Sequence, residues 1–290
     1  MKRLFAIFMA VMMVWTLCAC GDTTREEANK TQEETNRTEA PTQTQETKVT
    51  EPTANQPAET TTPMANQPTE TTAPPVQEQT KPTHSEYYLA DLDTDTFLRY
   101  FSEVVLDAEF INSGSADVVQ KWNSDIAYAL SGAPTAEDEA AVAAMVGFLN
   151  DIPGFPGMYR VENADAANLQ IHFVSAEEMI NILGSNFHGC DGGVTIWWDG
   201  NQQIYKGTIC VRTDLDQYTR NSVIKEEIYN GMGPVQDTNL RSDSLIYSGF
   251  STPQDMTRVD RLIMTLLYHK NIHCGMTAAQ CESVLRELYY

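Results

Sequence analysis

The stretch Ile224-Lys225-Glu226-Glu227-Ile228-Tyr229-Asn230-Gly231-Met232-Gly233 decides how this chain is read. It closes a helix expected from about Leu215 to Met232. With Val223 at zero on a helical wheel, Val223, Ile224, Ile228 and Met232 spread across an apolar sector from 0° to about 180°. Glu227 falls at about 40°, inside that sector, while Glu226 and Asn230 fall near its edge at about 300° and 340°. A carboxylate within an apolar stripe costs several kcal/mol if it is left charged and unpaired. Glu227 therefore needs a partner, a raised pKa or a job. It reads either as a satisfied acid tying the helix to its neighbours or as a working group, and Glu226 and Asn230 read as rim polar residues or as its companions.

The same ten residues invite comparison with the metal-binding helix H-E-x-x-H-x-x-G, in which two His one turn apart hold zinc and the Glu is the general base. Glu227 and Gly233 fall in register with that motif, but Glu226 and Asn230 stand where both His belong. The five His of the chain do not replace them. His84 ends a linker, His172 lies on the polar side of a strand, His188 sits in a Gly-rich loop, and His269 and His273 follow a helix C-terminus, where a cation is favoured. G-x-S-x-G, P-loop and G-x-G-x-x-G patterns are absent from the sequence.

Outward from this helix, the pattern is mixed α/β, with a sheet in the first half and helices dominating the second. Leu98, Phe101, Val104, Val105 and Ala108 recur at helical spacing. A short strand is expected from Ile126 to Leu130. Thr135-Ala136-Glu137-Asp138 is a capping box opening a helix that buries Val142, Met145, Val146 and Leu149. Residues 153–157 form a turn cluster, and Leu169, Ile171 and Phe173 alternate as a strand. Ser175 and Glu178 cap a short helix. Val194, Ile196 and Trp198, a turn at Asp199-Gly200, and Ile204 to Val211 read as a hairpin. Thr252-Pro253-Gln254-Asp255 is expected to cap the next helix, and Thr277 with Gln280 the last.

Toward the N-terminus, Lys2 and Arg3 precede an apolar run from Leu4 to Leu17, too short to span a bilayer and fitting a signal-peptide core. It ends in Leu17-Cys18-Ala19-Cys20-Gly21, which resembles a bacterial lipobox with Cys20 as the lipidated residue. Residues 1–19 are then the lipoprotein signal peptide. Residues 20–85, rich in Thr, Pro, Glu and Gln, form a disordered linker, and residues 86–290 are the folded domain. The expected location is the extracytoplasmic face of the cell membrane, held by palmitate and the diacyl anchor. With 40 acidic and 19 basic residues the chain carries −21, which argues against nucleic acid as a partner.

Cys190, Cys210, Cys274 and Cys281 remain in the domain, an even number that suggests disulfides in an exported chain. The preferred pairing of the three possible is Cys190–Cys210 with Cys274–Cys281; buried free thiols are the alternative. Trp197 and Trp198 on one strand place one indole on each face, so one packs inward and the other is either ordinary strand packing or a contact for a glycan or peptide.

From Trp122 to Met276 the chain resembles the DUF2927 family of bacterial lipoproteins. The likeness rests on the order of Trp122, Leu149-Asn150-Asp151-Ile152-Pro153-Gly154, the Glu226-Glu227 helix, Asp243-Ser244-Leu245-Ile246, and Asp260, Leu267-Tyr268 and Gly275-Met276. It implies a zincin-like, metzincin-like domain with a mixed sheet and packed helices. By analogy with active zincins, Glu226, Glu227 and Asn230 occupy the ligand, base and ligand places. The third ligand would fall at Gln236, with Asp237 beside it. These oxygen donors suit calcium or magnesium rather than zinc; no cofactor is expected, zinc least of all, with a calcium site as the alternative. The expected function is a degenerate, non-catalytic domain that binds a peptide or an envelope partner, the edge of its sheet open to strand addition. The rival readings are a metallopeptidase-like hydrolase using Glu227 as base, and a purely structural envelope lipoprotein.

Overall fold

The alternation in Leu169–Val174 is the local rule that builds the sheet: Leu169, Ile171 and Phe173 are buried and the intervening side chains are half-exposed. A computed structural model describes residues 85–106, 118–249 and 253–290, and the backbone of residues 13–17. The strands are β1 (Met13–Leu17), β2 (Lys121–Trp122), β3 (Ile126–Gly132), β4 (Met158–Arg160), β5 (Leu169–Val174), β6 (Gly192–Trp198) and β7 (Gln203–Arg212). The helices are α1 (Thr94–Leu106), α2 (Ala136–Asn150), α3 (Ala176–Leu183), α4 (Gln217–Asn230), α5 (Arg258–Leu267) and α6 (Ala278–Tyr289).

One sheet runs in the order β1-β6-β7-β5-β3-β4, with β2 beside the start of β7. Strands β3, β4, β5 and β7 are parallel, and β6 alone runs antiparallel to β7. Parallel neighbours need a long crossover, and α2 supplies it between β3 and β4. On one face α4 packs against β6, β7 and α2. On the other, α3 covers a small cluster of Met179, Phe187, Cys190 and Cys210. Among the described residues no helix is long and apolar enough to cross a membrane.

Polar anchors fix how the helices lie. Thr135 caps α2 in a reciprocal box with Asp138, as its spacing predicts. Asp138 is fully buried and also takes the Arg220 guanidinium, Nε to Oδ1 at 2.9 Å, and the Gln217 amide at 2.8 Å. The start of α2 is thereby tied to the start of α4. At the far end of α2, Asn150 accepts from Met158 N at 2.7 Å and donates to Met158 O at 2.9 Å, which brings β4 into the sheet. Replacing Asn150 with alanine strands both backbone groups and is expected to cost about 2 kcal/mol, read as a lower urea midpoint at unchanged slope. An unchanged midpoint would show that water replaces the amide.

Several sequence expectations are corrected. The helix after the 250s begins at Arg258, capped by Thr257 with Asp260, rather than by Thr252 with Asp255. Thr252, like Ala108, lies outside the described residues. Two boxes compete five residues apart, and the one that wins has a buried acid. Asp255 is exposed and instead pairs with Lys225 at 2.8 Å. The short strands β2 and β4 carry too few residues to show a period. The expected disulfides Cys190–Cys210 and Cys274–Cys281 are not formed, because Cys210, Cys274 and Cys281 carry free thiols. Cys281 packs in the core of α6, whereas the Cys274 thiol turns to the Lys121 carbonyl at 3.6 Å. Burial pushes the Cys210 thiol up to about 12, with the Glu227 charge adding to the effect. Cys20 and the body of the linker lie outside the described residues. Ser85 already belongs to the domain, its hydroxyl donating to Tyr289 O at 2.8 Å.

Candidate functional site

Helix α4 starts where Asp216 accepts from the amides of Tyr218 and Thr219 at 3.0 and 3.1 Å. From Ser222 to Asn230 every residue is buried. Glu227 is 0% exposed, so its place inside the apolar sector is real. Glu226 and Asn230, expected at the rim, are 7% and 1% exposed, because α4 is covered on more of its circumference than a single apolar stripe predicts. Asn230 Oδ1 accepts no hydrogen bond from the described residues, an unusual state for a buried acceptor.

Glycine brings Glu227 against the sheet. A Cβ at Gly192 would lie 2.9 Å from Glu227 Oε1 and 3.0 Å from its Cγ, so only glycine lets β6 approach the carboxyl this closely. Gly233, the glycine in register with the metal-helix motif, has φ +127°, and a Cβ there would sit 2.7 Å from the Gln120 carbonyl oxygen. The turn that ends α4 is further held by Trp122 Nε1 donating to Gly231 O at 2.9 Å and Tyr268 OH donating to Met232 O at 2.8 Å. Helix, turn and β2 are thus locked together beneath the Glu226, Glu227 and Asn230 positions.

Beyond the turn, Gln236 and Asp237 are half-buried. Ser244 and Asp260 then form a buried network. The Tyr100 hydroxyl donates to Ser244 Oγ at 2.9 Å, Ser244 Oγ to Asp260 Oδ1 at 2.7 Å, and Thr257 N and Oγ1 to Asp260 Oδ2 at 3.0 and 2.8 Å. Burial raises the Asp260 carboxyl, and these donors work against it.

Among the described residues no group of three or more His, Cys, Asp or Glu side chains is placed to hold a metal ion. His172 is half-buried against Ser131 Oγ at 2.7 Å, and burial lowers its pKa. Trp198 packs in the core, while Trp197 is half-buried with Lys206 Nζ 4.9 Å from its ring centre. One indole does face each side.

The family model described as Protein of unknown function (DUF2927) matches residues 94–287. The chain belongs to the DUF2927 family. No curated protein matches it. The match begins at the first residue of α1 and ends within α6, so it takes in the whole described domain except its outermost residues. Most positions that carried the DUF2927 likeness do structural work here. Asn150 docks β4, Trp122 and Tyr268 hold the turn after α4, and Ser244 with Asp260 binds α1 to α5. Gly154 has φ +86° against the Tyr268 carbonyl, and Gly275 donates its amide to Val119 O at 2.8 Å. Lys121 was not singled out by sequence reasoning. Its side chain is buried and directed to the carbonyls of Leu267 and Ile272, and nothing local marks a lysine beside Trp122 as buried.

Proposed function

We propose that this is a membrane-anchored extracytoplasmic lipoprotein, lipidated at Cys20, whose zincin-like domain does not cleave peptides through zinc but binds an extended peptide along the edge of β6. The carrying observation is the outer ladder of β6. Met13–Leu17 pairs antiparallel along it, from Met13 opposite Trp198 to Leu17 opposite Val194. Those five residues fall in the segment read as the signal peptide. Cleavage before Cys20 takes them away and opens a row of backbone donors and acceptors, the template that strand addition uses.

The zincin-like reading draws support from the layout. An antiparallel strand (β6), a parallel strand (β7) and then the helix bearing Glu226, Glu227 and Asn230 bring Glu227 of the altered motif directly under β6. Loss of zinc chemistry follows from the donors, since neither motif position supplies imidazole. Full burial of Glu227 favours binding over hydrolysis, because a general base must reach the proton it takes.

The test uses the mature lipoprotein in detergent and a fluorescent peptide containing the sequence of Met13–Leu17. Saturable binding with a Kd on the order of micromolar is expected, weakened about tenfold by N-methylation of alternate peptide amides. Absence of saturation, or indifference to N-methylation, would reject strand addition. Zinc-dependent cleavage of a peptide library would overturn the non-catalytic reading.

A further inference from the structure

A cavity of this acidic domain is lined, among the described residues, by neutral and basic groups. The cavity, of about 660 Å³, lies between the β6–β7 turn at Gly200–Gln203, the Lys121–Asn123 stretch and the loop from Tyr268 to Gly275. Residues 86–290 hold 29 acidic and 12 basic side chains, yet among the described residues no Asp or Glu lines this space. Lys121 and Lys270, two of the four lysines in those residues, do so, together with His269 and His273. The nearest acid of the turn, Asp199, is occupied by its own backbone, accepting from Asn201 N at 2.8 Å and Gln203 N at 3.0 Å.

Lys121 is the residue that needs explaining. It is 7% exposed, and among the described residues no carboxylate pairs with it. Its Nζ donates to Leu267 O at 2.7 Å and Ile272 O at 2.6 Å and lies 5.3 Å from the Tyr268 ring centre. An ammonium has three donors, so one remains beyond those two carbonyls. A buried cation without a counter-ion is costly, and desolvation holds this amine down to about 8. An anion in the cavity would supply the missing charge. The rim adds amides suited to hydroxyl groups, and it includes Gln202, the only described non-glycine residue with positive φ, at 63°. Its side-chain oxygen accepts from Gln120 Nε2 at 2.9 Å, which fixes the turn against β2.

We propose that this cavity binds a small hydroxylated organic anion, a sugar acid or sugar phosphate, with its charged group beside Lys121 between His269, Lys270 and His273 and its hydroxyls on the amides of the β6–β7 turn. The site is separate from the β6 edge and does not depend on peptide binding there. Titration calorimetry of the mature lipoprotein in detergent tests it with glucuronate, glucose 6-phosphate and glucose. At least one of the two anions should saturate one site, with glucose weaker by about tenfold or more. Glucuronate alone would identify a carboxylate site and glucose 6-phosphate alone a phosphate site. Lys270→Gln combined with His273→Gln, both at exposed positions, should weaken the bound anion about tenfold at unchanged melting temperature. Lys121→Met should abolish binding. Equal affinity for glucose, no saturation by either anion, or full affinity in the Lys270→Gln, His273→Gln variant would overturn the proposal.

Discussion

Replacing Asp260 with alanine is expected to lower stability by about 4 kcal/mol, whereas replacing Asp255 with alanine should change it by less than about 1 kcal/mol. The two acids stand five residues apart, and each ends a Thr-x-x-Asp pattern. Asp260 is fully buried and accepts from Ser244 Oγ, Thr257 N, Thr257 Oγ1 and the amide of Leu245. Alanine there removes the α5 cap and leaves several buried donors without an acceptor, at about 1–3 kcal/mol for a stranded buried group. The damage spreads to α1, because Tyr100 reaches Asp260 through Ser244. Asp255 has 88% of its side chain exposed, so its pair with Lys225 is screened by water. For a domain of this size the Asp260 loss should appear as a fall in Tm of about 10 °C. Equal shifts for the two variants would mean that the Asp260 network is not what holds α5.

What the sequence revealed and what it hid have the same physical cause. Elements whose own residues carry the period were legible: α2 through its Thr135 box and Val142, Met145 and Leu149 stripe, β5 through strict alternation, and the β6–β7 hairpin through Asp199-Gly200. Features fixed by distant partners were not. The choice of cap for α5 depends on Ser244, in the preceding loop, and through it on Tyr100, far away in the chain. Strand β2 exists because Lys121 and Trp122 lie parallel to Gln203 and Ile204. The helical wheel placed Glu227 correctly, because one helix face is a local property. It underestimated Glu226 and Asn230, since burial of the flanks depends on what else packs around α4. Gly233 is a middle case. Its register was legible, but the close approach of the Gln120 carbonyl that demands glycine was not.

If the proposed zincin-like reading holds, placing imidazoles at the altered motif positions should yield a variant that holds about one zinc per chain. The variant is Glu226→His, Asn230→His, Gln236→His, with Glu227 untouched. Residues 226 and 230 are one turn apart on the same side of α4, the spacing that places two ring nitrogens on one metal. The helix already ends in the glycine turn of the motif, held by Trp122 and Tyr268, so the two helical ligands need no new backbone. The third ligand must come from beyond that turn, and Gln236 occupies its place only if the chain leaves the helix as it does in zincins. The triple variant should therefore retain zinc through dialysis, measured by inductively coupled plasma mass spectrometry, and the double variant lacking Gln236→His should lose it. Tm gives an independent readout. Zinc at a hundredfold excess over its Kd stabilises by about 2.7 kcal/mol, a rise of about 5–10 °C. Retention by the triple variant alone would establish that Gln236 faces the helix and that the zincin-like site was lost by side-chain replacement. Failure of a folded triple variant to hold zinc would reject the zincin-like reading while leaving DUF2927 membership intact. Stoichiometric zinc in the unmodified protein would reverse the argument, since ligands other than Glu226, Asn230 and Gln236 would then hold it and Glu227 would return as a candidate base.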